Sequence, residues 1–340
     1  MYMQPIIDLR SGRLVKAEAL ARMQQPDGQI IAPAMFLPLL GEADMNLLFR
    51  QGLQAALDHL AQWEAQGLSI DVAVNLPPRT MVDPDCPRWV ADALRQHAVA
   101  PHRLTLEILE TQNIDAAAQD QAFVRLVELG VKLSMDDLGS GYSSLQRLSA
   151  LPFSTIKADQ ALLVRFRDNP IQTMSMIRTI IQMGHDLDRA VVVEGLEDEG
   201  MIEATRLLGA RYGQGYGLAR PMPADMLVGW WQRHGASTVT PLGAAHFRTF
   251  LGALAFQWMR PHSHERHCAG SLACCPLTRF IAEKGLQGSP LALCHGRAHN
   301  NDGQDAAGHE LIRLLVNEVH LEAQDPVPHA LTRGVDRVGT

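Results

Sequence analysis

Short apolar runs alternate with amphipathic stretches along the first two-thirds of the chain. Apolar runs of four to eight residues predict strands, and apolar residues spaced three and four apart predict helices. The predicted strands are Met3–Leu9, Ile70–Asn75, Leu104–Ile108, Lys132–Met135, Thr155–Ala158 and Ala190–Val193. Helices are predicted over Met45–Gln66, Arg88–His97, Gln119–Leu129, Ile171–Leu187 and Ala224–Gln232. About eight alternating units in roughly 240 residues favour an α/β fold that closes into a (β/α)8 barrel.

The remainder of the chain has a different pattern. Residues 1–234 are assigned to the barrel, and residues 235–245, which are rich in Ser, Thr and Pro, to a linker. Helices over His246–Met259 and Ala307–Leu321 suggest a small helical module at 246–323. The tail at 324–340 has little pattern and is predicted to be disordered.

Composition and charge limit the function classes. The chain is 46% hydrophobic and 20% charged, as expected for a packed core. A formal net charge of −7 argues against binding DNA or RNA polymers but leaves room for a small anionic ligand. Because the chain has neither an apolar run of about 18 residues nor a signal peptide at its start, no membrane span and a cytoplasmic location are predicted.

Acidic and amide side chains recur at or just after the apolar runs. In a barrel these strand ends meet on one face, and carboxylate and amide oxygens suit Mg²⁺ or Mn²⁺. The first ion is assigned to Glu18, Asn75, Glu107 and Asp136, and the second, about 3.5–4 Å away, to Asp136, Asp137 and Glu194. Any one of these acids alone is better explained as a helix cap, a turn residue or a surface pair.

Lys157 follows another apolar run and is expected among these acids. A lysine there can orient a water molecule or neutralise phosphate, with Asp159 as its partner. The segment from Asp136 to Ser144 is a Gly- and Ser-rich loop without the Walker pattern, which makes a nucleoside triphosphate site unlikely on sequence grounds. The set predicts metal-assisted hydrolysis of a phosphate diester.

The same motifs, in the same order, give the chain a family resemblance. They are Glu18-Ala19-Leu20, Val74-Asn75-Leu76, Leu106-Glu107-Ile108, Asp136-Asp137, Lys157-Ala158-Asp159, Glu194-Gly195-Leu196-Glu197 and Gln214-Gly215-Tyr216. Over about residues 1–232 the chain resembles the EAL-domain family of cyclic di-GMP phosphodiesterases. The resemblance implies a TIM-like barrel with one antiparallel strand, often a homodimer, that cuts cyclic di-GMP to linear pGpG with two Mg²⁺ or Mn²⁺ ions.

The resemblance also implies roles for single residues. It supports the metal ligands given above, and it makes Lys157 the residue that positions water and Glu194 a base. Asp159 supports the site, and Glu110 anchors the Asp136–Ser144 loop. The residues expected around the substrate are Leu20, Arg22, Gln4 and Gln214. Upstream sensory or cyclase domains are expected in a longer protein.

Histidine and cysteine are concentrated near the C-terminus, where ten of the fourteen histidines lie from His234 onward. His295 and His299 would share one face of a helix. With Cys275 and His246 they weakly resemble the CZB zinc-binding module, which implies Zn²⁺. Competing ligands are His262, His264, His267, Cys268 and Cys274. The alternatives are a helical appendage with incidental histidines or a redox role.

Three functions are compatible with these patterns. The first is an active cyclic di-GMP phosphodiesterase. The second is a catalytically silent cyclic di-GMP receptor that acts through a protein partner. The third is a hydrolase of another phosphodiester. All motif ligands and Lys157 are present, which favours catalysis over the silent receptor.

Overall fold

The computed structural model describes residues 1–109, 115–138, 148, 151–234, 246–260, 272–299 and 304–324. Several predictions lie outside the described residues. They concern Glu110, the glycines and serines of the loop after Leu138, the linker at 235–245, the tail from 325, and the competing ligands His262, His264, His267 and Cys268. The backbone of Asp137 is described, but its side chain is not.

Nine of the described strands belong to one sheet, and eight of these close into a barrel. The bounds of all the strands are β1 Tyr2–Asp8, β2 Leu14–Leu20, β3 Met23–Gln24, β4 Ile30–Ile31, β5 Asp71–Asn75, β6 Leu104–Leu109, β7 Lys132–Leu138, β8 Thr155–Ala158, β9 Ala190–Val193, β10 Tyr212–Gly213 and β11 Met222–Pro223. The sheet order is β10-β9-β8-β7-β6-β5-β2-β1-β11, and β10 also pairs with β1. Eight strands therefore close into a barrel, β11 extends the edge of β1, and β3 pairs with β4 outside it.

Helices surround this barrel. Their bounds are α1 Pro33–Phe36, α2 Glu42–Ala65, α3 Pro78–Val82, α4 Cys86–Gln96, α5 Ala116–Glu128, α6 Pro170–Asp186, α7 Glu199–Leu207, α8 Leu227–His234, α9 Phe250–Met259, α10 Pro276–Glu283, α11 Pro290–His299 and α12 Gln304–Gln324. In the described ranges, none of these helices is both long and apolar enough to cross a membrane.

The predicted barrel with one antiparallel strand is confirmed. β1 runs antiparallel to both of its barrel neighbours, β2 and β10, whereas the other barrel strands pair in parallel. The sequence-based set of strands omitted β2 and β10. β2 reads Leu-Val-Lys-Ala-Glu-Ala-Leu, and its charged residues break the apolar run because they face the barrel interior. β10 has two residues and offers no pattern to detect.

Helix α2 shows how the outer layer packs. Phe49, Leu53, Leu57 and Leu60 recur at helical spacing and are buried against the barrel. Such burial contributes roughly 1.5–3 kcal/mol per side chain. The predicted helices of the barrel agree with the structure within a few residues. The helix predicted to begin at His246 instead begins at Phe250, because Thr249 caps it by accepting from Gly252 N at 3.0 Å.

The C-terminal helices pack directly on the barrel layer. The buried carboxylate of Glu203, on α7, accepts hydrogen bonds from Arg248 N at 2.8 Å, from Thr249 N at 3.0 Å and from Thr249 Oγ1 at 2.6 Å. At the other end, Arg167 contacts Asp198 at 2.8 Å and Glu322, on α12, at 3.6 Å. The core residues of α9 belong to the same buried cluster as those of α7.

Candidate functional site

The barrel strands bring the predicted acids to one end of the sheet. Glu18, Glu107, Asp136 and Lys157 lie inside β2, β6, β7 and β8, rather than after them, and Glu194 directly follows β9. The pairing of β7 with β8 shifts register between Met135 and Leu138, so that Asp136 and Asp137 lie at a bulge. Bulges of this kind redirect side chains and are frequent beside active sites.

Lys157 is the centre of this cluster. Its Nζ atom lies 2.7 Å from Glu194 Oε1, 3.0 Å from Glu107 Oε2, 3.3 Å from Asp136 Oδ1 and 3.4 Å from Glu18 Oε2. The lysine side chain is only 2% exposed. Because one ammonium faces four carboxylates, three formal negative charges remain uncompensated when all four are ionised.

Amide side chains complete the other side of the cluster. Asn75 Nδ2 donates to Glu18 Oε1 at 3.0 Å, and Gln214 Nε2 donates to Glu18 Oε2 at 2.6 Å. Gln214 Nε2 also donates to Gln4 Oε1 at 3.0 Å, and Gln4 Nε2 contacts Ala219 O at 3.4 Å. Both oxygens of Glu18 are therefore held by amides, which orients this carboxylate.

The crowded charges displace several pKa values. Burial alone raises the pKa of Glu18, but Lys157 and the amide hydrogen bonds outweigh it and hold the pKa below its usual value. Burial, together with the neighbouring Glu18 and Asp136, raises the pKa of Glu107 well above normal and that of Glu194 to about 7, although Lys157 opposes both shifts. Burial lowers the pKa of Lys157, yet the surrounding carboxylates raise it well above normal overall.

These residues fit divalent cations. Among the described residues, Asp136 Oδ1 and Gln214 Oε1 are buried without a hydrogen-bond partner, although Lys157 stands 3.3 Å from Asp136 Oδ1 as an ion pair. Buried acceptors with excess negative charge are normally matched by positive charge. Hard oxygen ligands of this kind suit divalent cations such as Mg²⁺ or Mn²⁺.

Gly195 allows the turn that follows Glu194. Its φ is +69°, which disfavours residues with a side chain, and an added Cβ would lie 2.6 Å from Gln160 Cβ and 3.0 Å from Gln160 Cα. The close approach of these two segments fixes where Glu194 leaves its strand.

Other predicted residues lie around this centre. Asp159 does not form the predicted pair with Lys157: its Oδ1 accepts from Ala161 N at 2.8 Å, because the chain turns after β8 ends at Ala158. Arg22 donates to Ala21 O at 2.7 Å, and its guanidinium lies over the Tyr2 ring. Leu20 ends β2 and is partly buried.

A second cluster lies in the C-terminal helices. The ligand atoms of Cys275, His295 and His299 all lie within 4.8 Å of one another. Burial lowers the pKa of His295 to about 4, with a further contribution from His299. The fourth predicted ligand, His246, is not part of this group. It lies before the first turn of α9, which begins at Phe250, and its Nδ1 contacts the Arg279 guanidinium.

Sequence reasoning missed Thr278, whose Oγ1 lies 3.0 Å from His295 Nε2. The signal available was its position in α10, one turn after Cys275. It also missed that Glu203 attaches the C-terminal helices to the barrel, for which a single acidic residue in an amphipathic helix gives no local sign.

Comparison with known proteins adds a family. Residues 1–221 match the family model described as an EAL domain. The cyclic di-GMP phosphodiesterase RocR of Pseudomonas aeruginosa is 34% identical over 228 residues, which are 65% of this chain and 57% of RocR. The oxygen sensor protein DosP of Escherichia coli is 32% identical over 242 residues, which are 70% of this chain and 30% of DosP.

A solved structure also matches the barrel region of this chain. PaMucR phosphodiesterase, in complex with c-di-GMP, matches with a TM-score of 0.62 and 31% identity, over 66% of this chain and 92% of that one. The chain spans between 30% and 39% of the length of the first curated relatives that it matches.

Proposed function

The chain belongs to the EAL-domain family, and on this premise we propose that it hydrolyses cyclic di-GMP to linear 5′-pGpG in bacterial second-messenger signalling. One observation carries the proposal: four carboxylates converge on the buried Lys157 ammonium at 2.7–3.4 Å. A silent receptor has no need of this arrangement, which is costly to bury. RocR, a relative at 34% identity, is named as a phosphodiesterase for the same nucleotide.

The metal ligands are assigned from the carboxylate and amide oxygens at this end of the barrel. Glu18, Asn75, Glu107 and Asp136 would hold one ion, and Asp136, Asp137 and Glu194 a second. When bound, Mg²⁺ or Mn²⁺ supplies positive charge for the phosphate and lowers the pKa of water. The uncompensated charge of the carboxylates supports this assignment.

The side chains of the chain itself direct the proton and the charge. Glu194 is assigned as the base that accepts the proton of the attacking water. Lys157, 2.7 Å from Glu194, donates hydrogen bonds that orient this water and stabilise charge on phosphate. The new P–O bond replaces one P–O3′ bond of the cyclic dinucleotide, and the O3′ leaving group takes up a proton.

Other residues position the reactants. Gln214 and Asn75 fix both oxygens of Glu18, and Gln4 supports Gln214. Arg22 and Leu20 are assigned to the substrate, with Arg22 contacting phosphate. Glu110 and Asp159 are assigned supporting roles. Homodimerisation and upstream sensory or cyclase domains are part of the same proposal, in keeping with relatives that are longer than this chain.

The decisive experiment is chromatography of cyclic di-GMP incubated with the protein and Mg²⁺ or Mn²⁺. Glu18→Ala removes a central carboxylate, and Glu128→Ala, at an exposed position on α5, is the matched control. We expect pGpG from the wild type and from Glu128→Ala, none from Glu18→Ala, and none from the wild type in chelator. Binding of cyclic di-GMP without product in the wild type would overturn the proposal in favour of a receptor.

A further inference from the structure

The C-terminal helices contact the barrel beside the two strands that lead to Lys157 and Glu194. Helix α9 packs against α7, which is the helix that follows β9. On α12, His320 Nε2 lies 3.2 Å from Asp168 O, in the segment that follows β8. Lys157 lies near the end of β8, and Glu194 directly follows β9. The C-terminal helices therefore touch both segments that leave the carboxylate cluster.

Arg167 joins α12 to these two segments. Its Nη2 donates to Asp198 Oδ2 at 2.8 Å, and its Nη1 lies 3.6 Å from Glu322 Oε2. The planar guanidinium can serve two carboxylates at once because its donors have a fixed geometry. The three side chains are 27%, 15% and 29% exposed, respectively, so water screens these ion pairs less than fully exposed ones. The neighbouring Phe166 is fully buried and anchors the backbone of Arg167.

Asp198 fixes the far end of the segment that begins at Glu194. Its Oδ1 accepts from Met201 N at 2.9 Å and caps α7, while its Oδ2 accepts from Arg167. At the near end, Glu194 N donates to Ala158 O at 3.0 Å. Three residues separate Glu194 from Asp198. Because this connection is short and held at both ends, a displacement of Asp198 is transmitted to Glu194.

We propose that Arg167 is a positioning residue for hydrolysis, which joins Glu322 on α12 to Asp198 and thereby holds Glu194 in place. This inference rests on the proposed function, in which Glu194 is the base. A base must lie within hydrogen-bond reach of the water that it activates, and a misplacement of about 1 Å can lower the rate by roughly 100-fold. Because Arg167 acts through Asp198 and not on the substrate, it should affect turnover and leave substrate binding unchanged.

The first test is steady-state hydrolysis of cyclic di-GMP by the full chain in saturating Mn²⁺. Arg167→Gln should lower kcat about 10-fold and leave KM within about 2-fold. Glu322→Gln removes only the more exposed of the two ion pairs and should lower kcat about 3-fold. The matched controls are Arg165→Gln, at an exposed position of the same segment, and Glu318→Gln, one turn earlier on α12. Both controls should keep wild-type constants, and circular dichroism checks that every variant folds.

A double variant shows whether Glu322 acts through Arg167. In Arg167→Gln the carboxylate of Glu322 has lost the guanidinium that joins it to Asp198, so a second change, Glu322→Gln, should lower kcat no further. Independent effects would instead multiply to a loss of about 30-fold. A loss of that size would overturn the connection from α12 to Asp198.

A second measurement does not depend on hydrolysis. Hydrogen exchange of the backbone amides at 194–201, followed by mass spectrometry, reports how firmly this segment is held. Exchange should be about 5-fold faster in Arg167→Gln and in Glu322→Gln than in the wild type. The controls Arg165→Gln and Glu318→Gln should exchange at the wild-type rate.

The two measurements separate the ways in which the inference can fail. Unchanged exchange in Arg167→Gln would show that Arg167 does not hold the segment. Faster exchange with an unchanged kcat would remove its positioning role, and a raised KM with an unchanged kcat would assign it to substrate binding instead. Absence of hydrolysis in the wild type would overturn the proposed function and the effect on rate with it, and the exchange result would still decide whether Arg167 holds the segment.

Discussion

Replacing Lys157 with methionine keeps the length of the side chain and removes its charge from among four buried carboxylates. The ammonium lies 2.7 Å from Glu194, 3.0 Å from Glu107, 3.3 Å from Asp136 and 3.4 Å from Glu18. Removing one partner of a buried ion pair lowers the free energy of unfolding by about 3–5 kcal/mol. The pKa values of Glu107 and Glu194 are already raised, so these carboxyl groups take up protons in the variant. We therefore expect the free energy of unfolding to fall by about 3 kcal/mol, at the lower end of this range.

The pH dependence of this loss has a definite sign. A carboxyl group whose pKa is higher in the folded than in the unfolded state contributes stability at low pH that is lost as the pH rises through the folded-state value. In the wild type the pKa of Glu194 is about 7, and Lys157 lowers it. Removing the Lys157 ammonium therefore raises the pKa of Glu194 further. Metal-free Lys157→Met should therefore be less destabilised at about pH 6 than at about pH 8.

The assay is urea denaturation of metal-free protein, followed by circular dichroism at both pH values. Lys132→Met is the matched control, since Lys132 pairs with Asp71 at 2.8 Å but its side chain is 39% exposed. A pair of that kind contributes at most about 1 kcal/mol. Equal losses in the two variants, or a greater loss for Lys157→Met at the lower pH, would refute the reasoning. Lys157→Met should also lose hydrolysis of cyclic di-GMP.

Two further predictions concern the barrel wall. Glu203→Ala leaves the backbone N–H groups before α9 without their charged acceptor and should lower the free energy of unfolding in urea by about 3 kcal/mol. The control Glu199→Ala, at an exposed position of the same helix, should change it by less than about 0.5 kcal/mol. Similar losses in the two variants would contradict the role of Glu203. Gly195→Ala and Gly67→Ala both place alanine at positive φ, but only the first meets a neighbour within 4 Å. Hydrolysis of cyclic di-GMP should fall in Gly195→Ala alone, because the clash displaces Glu194, and equal activities would contradict this.

The barrel and its acidic centre were largely predictable from sequence. Strands buried on both faces give continuous apolar runs, and carboxylates near their ends must meet when parallel strands close into a barrel. Glu107 and Asp136 were therefore expected from their positions in or just after predicted strands, whereas Glu18 was identified from the Glu18-Ala19-Leu20 motif and from the order of the whole set. The strand that contains Glu18 was harder to recognise, because a charged barrel interior interrupts the apolar pattern of β2.

The contacts between distant segments were not predictable in the same way. Lys157 and Asp159 are neighbours in sequence, yet the lysine pairs with four acids from other strands, and Asp159 caps a turn. Glu203 holds the start of α9 through Arg248 and Thr249, which lie 45 and 46 positions away in the sequence. Local pattern carries no information on such distances, because they depend on how the strands and helices pack.

The sequence by itself determined the alternation of strands and helices, the types of donor atoms, and the end of the barrel at which they meet. These follow from periodicity and from the common direction of parallel strands. Only the tertiary structure decided which donors face one another. His295 and His299 share a helix face, as their spacing requires, but the position of His246 depends on where the chain enters α9 and on its contact with Arg279. Ligand geometry requires positions accurate to a fraction of an ångström, and long-range packing alone sets these positions.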